Sequence, residues 1–597
     1  MHIAFCTFLM DFLRAYGNKY DEELEVMKAK LRKRNETMRL SGAEIVVETL
    51  IEQGTKVVFG YPGGQVIDLY DALYTRSDRI QHILTAHEQG ASHAADGYAR
   101  SSGEVGVVIA TSGPGATNLV TGIATAYLDS VPMVAITGNV PNSLIGRDSF
   151  QEVDITGITL PITKHNFFVK TVDELADTIR EAFAIAKSGR PGPVLIDVPK
   201  DVQKAMIEYT AQSVAEPFPQ RKAKDEKIAQ AIEMIAASEK PYIYIGGGVI
   251  AAGVSEEIMA LADRIDAPIG CTMMGLSAVP VDNPRYLGME GMHGHYASSV
   301  GQDEADLILA IGCRFSDRAT GNVAKYARRA SIIHMDIDGA ELNKNVGVHL
   351  SLECDIKDAL TRLLAAVEQK ENPEWMARIA ELCAEEAGQI ADTMPAGKLT
   401  PYALIQEVSK HTDAETPVAT DVGQHQMWTA QFYPFKTPRT FASSGGLGTM
   451  GYGLGAAIGA AVASGKRTVL FTGDGSFGMN LNELATVSAN QIPVVVIIMN
   501  NSVLGMVRQW QTLFFDKHYS NTDLSIRKTD FVKLAEAFGI PGYRITDISE
   551  LSDVITKAFA ENGPVLVDCT IEKDEFVLPM LPPGGCIEDI IVRKGDK

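Results

Sequence analysis

From Ser41 onward the chain alternates short apolar runs with longer stretches in which apolar residues return every three or four positions. The runs VVFG, HILTA, VGVVIAT, PMVAITG and PVLIDVP are bounded by turn residues and too short for core helices, so they predict strands with helices between them. Ser41-Gly-Ala-Glu44 has capping-box spacing and predicts a helix over IVVETLIEQ that stops at Gly54. Such alternation predicts a doubly wound parallel sheet, and the chain holds three blocks of it. The expected fold is α/β, with three doubly wound parallel-sheet domains over 39–205, 225–368 and 401–575. A polar, proline-bearing stretch over 206–224 reads as a linker, 369–400 as a charged helical connection and 576–597 as a tail. Residues 1–38 open with an apolar patch that imitates a signal peptide without a basic leader or an A-x-A site, then turn strongly charged. They are expected to be a poorly ordered or helical extension, with Met38 as the alternative start.

Composition narrows the partners. Hydrophobic residues make up 46% and charged residues 22%, as in an ordinary globular protein. A net charge of −21 argues against nucleic acid or an anionic membrane, so an anionic substrate needs local positive charge or a metal. The seven cysteines are scattered without a C-x-x-C pair, which argues against disulfides and zinc and for the cytoplasm. No apolar run reaches the roughly 18 residues of a membrane span.

The chemistry begins after the run RTVLF, at Thr472-Gly-Asp-Gly-Ser476. Parallel sheets place ligands at the carboxyl ends of their strands, so this turn lies where a diphosphate docks, with a helix expected from Asn480. An aspartate there repels phosphate unless a cation intervenes. Mg²⁺ is commonly shared between one or two carboxylates and substrate phosphates, and Asp474 with Asn501 would supply a carboxylate and an amide oxygen from adjacent strand ends. This Gly-Asp-Gly, followed after roughly 25 to 30 residues by Asn-Asn, resembles the thiamine-diphosphate signature. No G-x-G-x-x-G follows this strand, which weakens an NAD reading. Residues 107–139 echo 472–501 in strand, glycine turn, helix and strand, as duplicated domains or any two βαβ units would. Glu88, in HEQGASHAADGYAR directly after the strand HILTA, is the candidate acid for the cofactor's aminopyrimidine ring. Its alternative is a helix-start carboxylate favoured by the dipole.

From about Arg39 to Gly585 the chain resembles the catalytic subunits of acetohydroxyacid synthases, also called acetolactate synthases. The resemblance rests on FGYPGG, HEQGASHAADGYAR, TSGPGATN, DSFQE, SGRPGPVLIDVPKDV, LGMEGMHG, RFSDR, VGQHQMW, SSGGLGTMGYG, GDGSF and NNSVLGMVRQWQ. It implies a pyrimidine-binding first domain, an FAD-binding-like centre and a diphosphate-binding third domain. Catalytic roles would fall to Glu88, Gly64, Phe150, Gln151, Lys200 and Trp510, the last narrowing the acceptor pocket in favour of 2-ketobutyrate. Thiamine diphosphate would meet Gly63, Val422, Gly423, Gln424, His425, Gly448, Met450, Gly473, Gly475, Ser476, Gly505 and Met506. Mg²⁺ would be held by Asp474, Asn501 and the carbonyl of Val503. FAD would meet Arg190, Gly246, Gly247, Gly248, Met292, His293, Arg314, Arg318, Asp336 and Asp355. Pyruvate would be decarboxylated and joined to pyruvate or 2-ketobutyrate, in a homodimer or tetramer with a separate small regulatory subunit. A flavin-using pyruvate oxidase and a catalytically silent scaffold stay open as alternatives. Three positions depart from the family pattern: Glu290 for an apolar residue, Ser316 for Asp and Gly455 for Pro.

Overall fold

The computed structural model describes residues 37–214, 218–393 and 397–595; the expected extension lies outside the described residues up to residue 36. Three parallel sheets of six strands form the chain, one per domain. The first runs Gln81–Leu84, Val57–Tyr61, Gly106–Ala110, Met133–Asn139, Pro193–Pro199, His165–Phe168. The third runs Phe441–Ala442, Val418–Thr420, Thr468–Gly473, Val494–Asn500, Val565–Thr570, Gly542–Ile545. Numbered along the chain within each domain, both have the order 2-1-3-4-6-5. The central sheet differs, with order 3-2-1-4-5-6 and its reversal between Pro241–Ile245 and Leu307–Ile311. The inner strands are buried on both faces, as helix-covered parallel sheets require.

The capping box forms as its spacing predicts. Ser41 Oγ accepts from the Glu44 N–H at 3.3 Å and the Glu44 carboxylate accepts from the Ser41 N–H at 2.9 Å, opening the helix Gly42–Glu52. Thr37–Ser41 pairs antiparallel with Met206–Thr210, so the segment expected as linker from 206 opens as a strand. Buried Leu40 and Tyr209 tie that ribbon into the first core, a long-range pairing that composition cannot signal.

The first and third domains meet along the helices Glu88–Ser102 and Gly453–Ser464, and one apolar cluster runs through both domains. Glycine permits the close approach: a Cβ on Gly97 would stand 2.1 Å from the Ala456 carbonyl oxygen, and one on Gly459 1.9 Å from that of Ala94. Gly455 belongs to the same seam, where a Cβ would meet His93 Cβ at 2.7 Å. Among the described residues no helix is long and apolar enough to cross a membrane.

Candidate active site

Every first-domain candidate except Arg190, which precedes Pro193–Pro199, follows the carboxyl end of a strand. Gly63 and Gly64 follow Val57–Tyr61, Glu88 opens the helix after Gln81–Leu84, Phe150 and Gln151 lie on the loop after Met133–Asn139, and Lys200 follows Pro193–Pro199. Glu88 is 9% exposed, and its Oε2 accepts from Asn118 Nδ2 at 2.9 Å. A Cβ on Gly115 would come within 3.2 Å of Glu88 Oε1, and one on Gly63 within 2.5 Å of Thr111, so glycine keeps this rim open. Lys200 Nζ donates to the Gly64 carbonyl at 2.8 Å and pairs with Asp68 at 2.7 Å, which joins two candidates distant in sequence. Gln151 has φ +61° and packs on Gly113. Phe150 is 84% exposed and stands apart from the others.

The third-domain candidates converge more tightly. Thr468–Gly473 ends at a four-residue helix, Asp474–Phe477, with Gly473 as its cap. The helix expected from Asn480 forms with Asn480 as its cap, its first turn 3-10, Leu481–Glu483, leading directly into Leu484–Ala489; Asn480 Nδ2 donates to the Gly451 carbonyl at 3.1 Å. Burial pushes the Asp474 carboxyl up to about 7, with the Asp568 charge adding to it and backbone N–H groups opposing. Asn501 Oδ1 accepts only the Val503 N–H at 3.1 Å, leaving a lone pair for a cation, and Asn501 Nδ2 reaches Gln424 Oε1 at 3.3 Å. A Cβ on Gly505 would stand 2.0 Å from the same Gln424 oxygen. Ser476 Oγ donates to the Val422 carbonyl at 2.8 Å. Gly475 lies beside Met450, and Gly448, at φ +69°, beside Val422. His425 packs against Gly423 and Gly473; burial pushes it down to about 3, so it is neutral, and its Nε2 is buried without a partner. An orphaned imidazole nitrogen and a buried carboxylate with no ion pair among the described residues, in one rim, fit a metal-bound diphosphate. Among the described residues no cluster of three His, Cys, Asp or Glu exists, so a metal here relies on one carboxylate with amide and carbonyl oxygens.

In the central domain Gly246 and Gly312 follow the two strands at the sheet's reversal, the place where open α/β sheets take ligands. A Cβ on Gly246 would lie 2.3 Å from the Gly312 oxygen, and one on Gly248 2.7 Å from Gly312 Cα, so backbones cross there in contact. Gly247 adjoins Met274. The Met292 N–H donates to the Arg318 carbonyl at 2.8 Å, and the His293 carbonyl accepts from Gln431 Nε2 at 3.0 Å. Arg318 lies 5.7 Å over the Trp510 ring, joining the central and third domains. Arg190 pairs with Glu341 at 2.7 Å, Asp336 accepts from the Asp338 N–H, and Asp355 caps the helix Ile356–Ala366. Arg314 follows Leu307–Ile311. Glu290 is buried beside Tyr326 at 3.5 Å, and burial holds its carboxyl well above the usual carboxylate range.

Other residues complete these rims without standing out in the sequence. Asp421 accepts from the Gly451 N–H at 2.7 Å and Thr472 Oγ1 at 3.0 Å, fixing the turn that presents Gly448 and Met450. Gln509, 1% exposed, bonds both Gln424 and the tail at Val577. Asn118 lies inside the quoted TSGPGATN, whereas Glu483 gave no signal beyond an acid amid apolar residues.

Comparison with known proteins now defines the class. The chain matches the thiamine pyrophosphate enzyme N-terminal TPP binding domain over 40–158, the central domain over 228–363 and the C-terminal TPP binding domain over 421–569. It is a thiamine pyrophosphate-dependent enzyme. It is 45% identical to the acetolactate synthase isozyme 2 large subunit of Escherichia coli, over 93% of this chain and 100% of that one. Identity to the acetolactate synthase large subunit of Haemophilus influenzae is 42%, over 93% and 99%. Identity to that of Corynebacterium glutamicum is 44%, over 92% and 90%. The chain belongs to the family of acetolactate synthase large subunits.

Proposed function

We propose that this chain decarboxylates pyruvate and joins the two-carbon unit to a second 2-keto acid, pyruvate or 2-ketobutyrate. The observation that carries the reading is the pair of complementary rims: Glu88 with Asn118 on one sheet, Asp474 with Asn501 on another of the same strand order. Among the described residues no hydrogen bond or ion pair joins Glu88 to Asp474, Asn501 or Gln424. A cofactor that needs both rims would, as the family resemblance implies, be held between the first domain of one chain and the third of another, in a homodimer or a dimer of dimers.

Bound thiamine diphosphate would supply the electron sink that lets the substrate carboxylate leave as CO₂. The protein's share is placement and proton handling. Glu88, oriented by Asn118, would face a ring nitrogen of the cofactor and exchange a proton with it. Asp474, Asn501 and the Val503 carbonyl would hold Mg²⁺, and the neutral His425 with Ser476 would face the diphosphate. Lys200 places positive charge by Gly64 for a substrate carboxylate. The glycine crossing at the central sheet's reversal would take FAD as a structural group, with Arg190 and Arg318 as further candidate contacts, since the reaction transfers no net electrons. Because the relatives are named large subunits, a separate small regulatory subunit belongs to the same reading.

The test is incubation with pyruvate, Mg²⁺, thiamine diphosphate and FAD under nitrogen, with acetolactate measured as acetoin after acid treatment beside the flavin spectrum. Acetolactate with oxidised flavin is expected; acetate with bleached flavin would instead make the enzyme an oxidase.

A further inference from the structure

Glu483 is fully buried in the third domain, yet its carboxylate reaches into the first. Its Oε2 accepts from the Ala86 N–H at 3.1 Å and from Thr486 Oγ1 at 2.5 Å, while Asn482 Nδ2 approaches Oε1 at 3.4 Å. Ala86 stands two positions before Glu88, in the turn that leads from Gln81–Leu84 into the helix Glu88–Ser102. Burial pushes Glu483 up and the neighbouring Glu88 carboxylate adds to this, while hydrogen bonds from Thr486, Ala86 and the His87 N–H oppose it. The facing helix is shaped for the contact. A Cβ on Gly90 would lie 2.1 Å from Glu483 Oε1, so only glycine admits the carboxylate, although glycine inside a helix costs about 1 kcal/mol relative to alanine.

We propose that Glu483 is a positioning residue for Glu88: by accepting the N–H groups of the Ala86–His87 turn it fixes where the Glu88 carboxyl stands. The inference rests on the role proposed above for Glu88. The contact also has a reach beyond one site. Glu483 and Asp474 lie on one short run of the third domain, whereas Glu88 serves a cofactor held by another chain's third domain. Glu483 thus ties the metal-holding rim of one site to the acid of the next.

Glu483→Gln, made in the full chain loaded with thiamine diphosphate, Mg²⁺ and FAD, keeps the volume but turns an NH₂ toward the N–H donors of the turn. We expect kcat to fall roughly 10- to 100-fold, as for displacements of about 1 Å near the chemistry, with KM for pyruvate, thiamine diphosphate affinity and Tm unchanged. Amide exchange at Ala86 and His87 should rise about tenfold, while the strand Thr468–Gly473 keeps its protection. Gly90→Ala approaches the contact from the other side and should give the same pattern; it decides the matter if the glutamine variant fails to fold. Wild-type kcat with unchanged exchange at the turn overturns the inference, as does a loss of Tm and cofactor affinity large enough to explain the lost turnover. Glu88→Gln measured in parallel separates the two readings. An inactive Glu88→Gln beside a fully active Glu483→Gln sinks the positioning role alone, and an active Glu88→Gln sinks the role of Glu88 beneath it.

Discussion

The first and third domains share one strand order but present opposite chemistry at their rims. The third strand of the first domain, Gly106–Ala110, runs into Ser112-Gly-Pro-Gly115, where Gly113 takes φ +57° and Pro114 opens a short helix. The third strand of the other, Thr468–Gly473, runs into Asp474. The first loop carries no charged side chain to offer a metal; its domain contributes an acid instead after the edge strand Gln81–Leu84, two places away in the sheet, at Glu88. Equal scaffolds therefore need not carry their ionisable groups at equal positions: one rim offers an acid at the edge strand, the other at the third strand.

That contrast is broken most directly by exchanging the ionisable group on each side for its amide. Glu88→Gln should lower kcat by about 10²- to 10⁴-fold, the usual worth of a positioned proton-transfer group, with flavin and thiamine diphosphate still bound. Were Glu88 only a helix-start carboxylate, the change would cost about 0.3–1 kcal/mol of stability and leave turnover intact. Asp474→Asn should instead lower Mg²⁺-dependent thiamine diphosphate affinity, by about 100-fold or more, given that loss of even an outer partner of a metal ligand costs about 10- to 100-fold. Titration of thiamine diphosphate with and without Mg²⁺ reads the difference. If Asp474→Asn bound the cofactor normally, the two rims would not divide the work as described.

The sequence was most legible where chemistry and spacing lie close together along the chain. The alternation of runs predicts the strands of the first sheet apart from His165–Phe168, whose HNFF has a polar start and half-buried residues. Asp474 and Asn501 stand out because a strand, a turn and a return strand fix their separation. Glu483, Asp421 and Gln509 do not, because each acts through a fold-made contact: with Ala86, with Gly451, and with Val577. The Gly451 contact of Asn480, the cap of the helical run from Leu481, is likewise made by the fold. Gly455 looked like a missing proline at a helix start. In the structure it is one of the glycines that let the two domains touch.

The seam between the paired domains gives a smaller, purely structural effect. Gly97→Ala places a methyl 2.1 Å from the Ala456 oxygen, so the helices must part. We expect a loss of about 1–3 kcal/mol, as for overpacked cores, read as a lower Tm with the Asp474 rim still binding cofactor. An unchanged Tm would show that the two domains can separate slightly at no cost, and would weaken the claim that their rims are rigidly placed.

The rims also differ after their fourth strands, and here the expected effect is specificity. In the first domain that loop carries Phe150, 84% exposed; in the third, the helix Gly505–Phe514 carries half-buried Trp510, with Arg318 5.7 Å over its ring and Phe514 packed at its edge. An aromatic clamped on two sides keeps one orientation, which a wall selecting between small acceptors needs. Pyruvate and 2-ketobutyrate differ by one methylene, a difference worth about 10- to 200-fold at most in an apolar pocket. Trp510→Leu should therefore reduce the preference for 2-ketobutyrate in competition by about tenfold, the lower end of that range, while acetolactate formation from pyruvate alone continues. Removing only the cation, by Arg318→Leu, should loosen the ring without deleting it and lower the preference less. If both variants kept the wild-type product ratio, the acceptor wall would have to be sought elsewhere, and Phe150 of the opposing rim would be the first residue to test.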